Sequence, residues 1–200
     1  MKEKARVAVL GLGDFGYHFA CSLHQLGHEV LAIDSDQNKV QQILPDVTKA
    51  AVANVLDRPA MEELGVSSFD IVVVCLPERV ETTVLLVHHL KQIQTLQIIV
   101  KVANAEQAAI VKLVGATEII QPDLSTARKC AMLIHHPRAI DYLEMGSGNM
   151  VSASVPPSSL IGKTPRDVHL TEDYGVSLSI PADWQSLPAS QDYDLALQAL

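Results

Sequence analysis

Gly11, Gly13 and Gly16 form a Gly-x-Gly-x-x-Gly run, with Leu12 in its first gap and Asp14 and Phe15 in its second, and Asp34 follows further along the chain. About 20 residues separate glycines from acid, the spacing at which a turn, a helix and a strand bring a carboxylate to the ribose of a nucleotide. Gly11 would allow a tight turn, Gly13 would let the backbone approach a phosphate, and Gly16 would let a helix pack closely on a sheet. N–H groups at the start of a helix opening near Asp14 would hold phosphate oxygens. Asp34 would accept hydrogen bonds from two ribose hydroxyls. Ser35-Asp36 adds a second negative charge with no arginine nearby, which disfavours a 2′-phosphate. The expected ligand is therefore NAD(H), ATP, ADP or AMP before NADP.

Those residues need strands and helices to position them. Apolar runs predict strands near 5–10, 29–33, 48–53, 69–75, 97–102 and 118–120. Helical periodicity predicts helices near 14–26, 36–43, 58–64, 80–93 and 105–113, with Gly27 and Gly115 as helix C-caps. Strands alternating with helices give an α/β fold with a doubly wound parallel sheet, whose crevice lies at the carboxyl ends of the strands. There the sequence brings Asn54, Val55, Leu76, Pro77, Glu78, Arg79, Lys101 and Asn104 toward the glycines and Asp34. Asn54 would approach adenine or ribose, or close a turn. Lys101 would steady a phosphate or form an ion pair. Glu78 and Arg79 would face the ligand or start the next helix.

A further helix is predicted from Asp123 to about His135, and then composition shifts. The division expected is 1–136 for the nucleotide-binding domain, 137–149 for a connection containing Met145-Gly146-Ser147-Gly148-Asn149, and 150–200 for a small β-rich domain. Val151–Val155 and Val176–Ile180 alternate like half-exposed strands, and Gln191–Leu200 reads as an acidic, helix-like end.

Composition excludes several classes. Hydrophobic residues make up 48% of the chain but aromatics only 4%, as strands buried on both faces by Val, Ile, Leu and Ala require. Runs such as Ile71–Leu76 are too short to cross a bilayer. Met1-Lys2-Glu3-Lys4 leads straight into a strand, so no signal peptide is expected. The three cysteines, Cys21, Cys75 and Cys130, are widely spaced and read as reduced thiols of a cytoplasmic protein. A net charge of -8 excludes nucleic acid as a partner. The eight histidines, including the pairs His88-His89 and His135-His136, have no zinc-ligand spacing and read as surface or interface residues.

The segments Val9–Gly16 and Leu26–Asp34, then Val100-Lys101-Val102-Ala103-Asn104, Val114–Asp123 and Leu160-Ile161-Gly162-Lys163-Thr164-Pro165, together resemble the RCK proteins, the KtrA/TrkA-type cytoplasmic gating subunits of bacterial potassium uptake systems. The resemblance covers nearly the whole chain. It implies a Rossmann-like RCK-N domain followed by an RCK-C domain and no catalysis of its own. It further implies homodimers assembled into an octameric ring beneath a potassium-transporting membrane subunit, at the inner face of the cell membrane. The nucleotide at the glycine loop would bias the ring's shape, and through it the pore, by differential affinity.

This sequence departs from that family's pattern at the glycine loop and its cation position, and at the C-terminal domain. Many ATP-responsive members have an arginine where this chain has Asp14, so ADP, AMP or NAD compete better with ATP here. Asp123 falls where the family often has a glutamate linked to a divalent cation; with Asp14 it would share Mg²⁺ or Ca²⁺, or it would simply cap its helix. The RCK-C domain would also be shortened, since the sequence ends at Leu200. Two rival readings are an NAD-dependent oxidoreductase, for which the tail offers Lys163, Arg166 and His169, and a ligand-free assembly scaffold.

Overall fold

The computed structural model describes residues 4–76, 79–135, 139–144, 150–154, 176–178 and 196–199. It divides into two compact units, Met1–Pro122 and Asp123–Leu200. The first contains strands β1 (Arg6–Leu10), β2 (Glu29–Asp34), β3 (Lys49–Val52), β4 (Ile71–Val74), β5 (Gln97–Lys101) and β6 (Glu118–Ile120). Between them run helices α1 (Asp14–Gln25), α2 (Gln37–Ile43), α3 (Arg58–Glu63), α4 (Val80–Gln92) and α5 (Ala105–Val114). Expected and observed ends differ by a residue or two.

The strands form one parallel sheet in the order β3-β2-β1-β4-β5-β6. Right-handed crossovers in that order put helices on both faces and reverse direction between β1 and β4. Strand alternation divides the core accordingly. Ala8, Leu10, Val72, Val74, Ile98 and Val100 pack with residues of α3, α4 and α5, while Val7, Val9, Val30 and Val73 pack with residues of α1 and α2. Helix α4 shows why such a segment must be helical: its buried residues Thr83, Leu86, Val87 and Leu90 recur every three or four positions, one stripe of a 3.6-residue period.

The second unit takes in α6 (Pro122–His135) from Asp123 onward, and four antiparallel strands, β7 (Ala139–Glu144), β8 (Met150–Ser154), β9 (Val176–Leu178) and β10 (Ala196–Ala199), in the order β7-β8-β10-β9. The compact units part after Pro122, and β7 falls within the stretch 137–149. One expectation changes. Within Gln191–Leu200, Ala196–Ala199 is a strand, not a helix. Helix propensity is a weak prior, and β10 pairs with β8 on one side and β9 on the other.

Candidate nucleotide-binding site

Register fixes what meets at the top of the sheet. Leu10 aligns with Ile33 and with Val74, and Val74 aligns with Val100. The residues that follow, Gly11, Asp34, Cys75 and Lys101, therefore form one row across the carboxyl ends. Backbone bonds tie the row together: Gly11 N–H donates to the Ile33 carbonyl at 2.8 Å, and Cys75 N–H to the Leu10 carbonyl at 2.8 Å.

The glycine turn is built by close approach. Gly11 has φ +97°, and a Cβ there would lie 2.7 Å from the Cys75 carbonyl oxygen. A Cβ on Gly16 would collide with the Gly11 carbonyl oxygen and lie 3.1 Å from Cys75 Cβ, so this glycine seats α1 on the turn itself as well as on the end of β4. Gly13 is the N-cap of α1, with nothing within 4 Å of the Cβ position. It offers no side chain to cap the helix, so the first-turn N–H groups of Asp14, Phe15 and Gly16 remain donors without an intrahelical acceptor.

The capping pattern singles this end out. Asp36 caps α2, accepting from Asn38 N–H at 2.8 Å; Asp57 caps α3, and Asn104 caps α5 through Gln107 N–H at 2.9 Å. Helices α1 and α4, whose N-caps are Gly13 and Arg79, receive no acceptor from their N-cap side chains. They leave β1 and β4, the two strands that flank the point where the sheet order reverses.

Asp34 is locked into the turn. Its Oδ2 accepts from Leu12 N–H at 2.6 Å and its Oδ1 from Asp36 N–H at 2.9 Å, short charge-assisted bonds that orient the carboxylate. Lys39 Nζ lies 3.9 Å from Oδ2, and the Asp34 side chain is 12% exposed. A carboxylate has about four lone-pair sites. Two are used by the backbone, which leaves two for a ribose diol. Lys39 is the cation that sequence reasoning missed: no arginine is nearby, but the first turn of α2 folds this lysine back over the acid.

Other expected site residues are placed differently. Asp14 and Ser35 are exposed, and the Phe15 ring stacks on Phe19 at 5.4 Å. Asn54 Oδ1 accepts from Leu56 N–H at 3.0 Å, the turn alternative, and Val55 is buried in the core beside Met61 and Val66. Asn104 is a helix cap. Leu76 and Lys101 line a crevice with Arg79, Thr83, Ala103 and Gln107 between the starts of α4 and α5. Pro77 and Glu78 lie outside the described residues, as do Lys163, Arg166 and His169. Asp123 is exposed in the first turn of α6, in the second unit.

Within the row, burial pushes the Cys75 thiol up to about 12, partly offset by the positive charge of Lys101. Such a thiol is inert at neutral pH. Among the described residues no three His, Cys, Asp or Glu side chains come together. That is short of the oxygen set that a hard divalent cation takes. No described helix is long and apolar enough to cross a membrane.

Residues 7–122 match the family model of the TrkA-N domain. The chain is 30% identical over 175 residues to Ktr system potassium uptake protein C of Bacillus subtilis (strain 168), covering 88% of this chain and 79% of that protein. Among solved structures, the GsuK channel bound to NAD superposes with a TM-score of 0.66 at 13% identity, over 99% of this chain and 38% of that one. The Kef CTD of Shewanella denitrificans in its AMP-bound form gives 0.54 at 14% identity, over 65% of this chain and 80% of that one. At these identities the two structures speak for the fold.

Proposed function

We propose that this chain, which belongs to the TrkA-N domain family, is a nucleotide-binding regulatory subunit of a potassium uptake system. The observation that carries the nucleotide is the pairing of two features at the carboxyl ends of β1 and β2: an α1 whose N-cap Gly13 supplies no acceptor, and an Asp34 carboxylate held by Leu12 and Asp36 N–H groups with two lone pairs left over. The first-turn N–H groups hold the phosphates, and Asp34 takes the ribose hydroxyls. Relatives named for potassium uptake support the regulatory reading, as do solved neighbours carrying NAD and AMP.

In this reading the chain works at the cytoplasmic face of a membrane, as dimers in a ring docked on a potassium-transporting subunit. A nucleotide gates only to the extent that it prefers one ring conformation, because a ligand with equal affinity for both shifts nothing. The domain reading is a nucleotide-binding first unit and a smaller RCK-C-like second unit. A divalent cation held through Asp123 belongs to this reading only with ligands beyond the described side chains.

The test is calorimetric titration of the full chain with ATP, ADP, AMP, NAD, NADH and NADP, with wild type and Asp34→Ala. It is followed by potassium flux in vesicles holding a Ktr-type membrane subunit. Saturable binding lost in Asp34→Ala, and flux that changes with the bound nucleotide, are expected. Absence of any binding, or turnover of a hydroxy acid with NAD, would overturn the assignment, the latter in favour of an oxidoreductase.

A further inference from the structure

We propose that His28 is a proton-sensitive fastener of the β1–α1 unit, and that its protonation weakens the binding of nucleotide at the glycine turn, at the other end of that unit. This rests on the nucleotide-binding reading and adds a regulatory input to the same site.

The fastener is a hydrogen bond of fixed polarity. Ala5 N–H donates to His28 Nδ1 at 3.2 Å. A backbone N–H can only donate, so this ring nitrogen carries a lone pair and the ring's proton is on Nε2. The Ala5 carbonyl accepts in turn from Glu29 N–H at 3.0 Å, so the start of β1 is tied twice to the corner between α1 and β2. An imidazolium donates through both nitrogens and accepts through neither. With a charged ring, two N–H groups face each other and the side-chain tie is lost.

The neighbouring His24 supplies the contrast. Its Nδ1 lies 3.4 Å from Thr48 Oγ1, which also accepts from Val30 N–H at 3.0 Å. A hydroxyl can rotate and exchange donor for acceptor, so this contact survives a charged ring. Both histidines are half-buried, but only His28 faces a partner that cannot reverse its role. The charged groups around the two rings are Lys4 and Arg6 beside Ala5, Glu29 beside His28, and Asp46 and Lys49 near Thr48, with Asp70 accepting from Arg6 N–H at 2.7 Å. Among the described residues no ion pair reaches either imidazole; Glu29 is 3.8 Å from Arg6. The C-terminal end of α1 attracts a cation, so a charged His28 ring is held by the helix end and not by Ala5.

The position of the bond gives it leverage. Strand β1 climbs from Ala5 to Gly11, and α1 descends from Gly13 to the corner that carries His28. The two elements are joined above by the glycine turn and below by the Ala5–His28 bond. The turn tolerates little movement, since a Cβ on Gly16 would already collide with the Gly11 carbonyl oxygen. Close-packed elements transmit a displacement along their length. Releasing the lower end therefore shifts the first-turn N–H groups that must converge on phosphate.

The test is calorimetry of the full chain with ADP and with NAD on wild type, His28→Gln and His24→Gln, from about pH 8 down to about pH 5.5, the range in which histidine changes charge. Glutamine keeps an acceptor oxygen and does not titrate. Over this range wild-type affinity is expected to fall about fivefold further than that of His28→Gln, the worth of one hydrogen bond, while His24→Gln follows wild type. The same difference with both ligands excludes titration of the ADP phosphate as its source. Parallel profiles for wild type and His28→Gln would overturn the proposal. So would a ¹⁵N spectrum of ligand-free wild type at high pH that puts the His28 proton on Nδ1; this spectrum needs no variant and decides the matter if His28→Gln fails to fold. Wild type that binds neither ligand at any pH defeats the nucleotide assignment, and the ring spectrum then still decides the Ala5 bond.

Discussion

The two sides of the seam between β1 and β4 handle charge in opposite ways. On the β1–β2 side, the Asp34 carboxylate is gripped by two backbone N–H groups and faced by Lys39. On the β4–β5 side, Arg79 and Lys101 share a crevice, and neither is paired among the described residues. The difference separates two kinds of binding residue. An acid whose partners belong to the protein supports the fold and the ligand together. Cations without a partner among the described residues hold no two parts of the fold together. Substitutions on the first side should therefore cost stability and affinity at once, and those on the second side little stability.

The largest effect is expected at the seam itself. Burial holds the Cys75 thiol at about 12, against an ordinary value of 9.0. Below the ordinary value the thiol is protonated in both folded and unfolded chains, and stability is complete. As pH rises above it, the unfolded chain ionises while the folded one cannot, and stability falls until the folded value is passed. The loss approaches about 4 kcal/mol. Urea titrations across the alkaline range should show this slope in wild type and a flatter one in Cys75→Ala. Identical slopes would mean that the thiol is not sealed beneath the turn.

Next come the glycines, which divide the same way. Gly16→Ala drives a Cβ into the Gly11 carbonyl, so the turn must move; a loss of about 3 kcal/mol and of all nucleotide binding is expected. Gly13→Ala meets nothing within 4 Å and has a φ of −69°, so folding should change by less than about 1 kcal/mol while phosphate binding weakens. Denaturation midpoints set beside ligand-induced melting shifts separate the two, and equal behaviour of both variants would contradict a turn built by close approach.

Asp34→Ala joins fold and ligand. It strands the Leu12 and Asp36 N–H groups, for a cost of about 2 kcal/mol, and should weaken every adenosine ligand alike. Retained stability would show that water or another acceptor replaces the carboxylate without loss. Loss of ADP binding with AMP binding intact would move Asp34 away from the ribose.

How far all this was legible in the sequence follows from the range of the interactions. The βαβ unit around Gly11 and Asp34 is specified by neighbours in sequence, and periodicity with glycine spacing reveals it. Lys39 escaped notice because its approach to Asp34 depends on how α2 folds back from the strand. Arg79 and Lys101 were expected near the carboxyl ends of their strands from the alternation of strands and helices, whereas their place in one crevice with Thr83 and Gln107 depends on sheet register, which no local pattern encodes. Asn54 carried a visible alternative, and the turn prevailed because its carboxamide closes onto Leu56. The strand at Ala196–Ala199 was hidden by residues of high helix propensity, since its pairing partners β8 and β9 lie well upstream.

The smallest effect tests the acidic side alone. The ion pair of Lys39 with Asp34 spans 3.9 Å with the lysine side chain 43% exposed, so Lys39→Met should alter stability by no more than about 0.5 kcal/mol. Its consequence for ligands is sharper. A 2′-phosphate entering beside Asp34 meets a carboxylate and an ammonium together; without Lys39 it meets Asp34 and the neighbouring Asp36 only. Discrimination against adenosine 2′,5′-bisphosphate relative to AMP should therefore grow in Lys39→Met at low salt and shrink again as ionic strength rises, since an exposed charge is readily screened. Unaltered discrimination at low salt would mean that Lys39 serves the carboxylate's position and not the ligand's charge. Asp34 alone would then set the preference for an unmodified ribose.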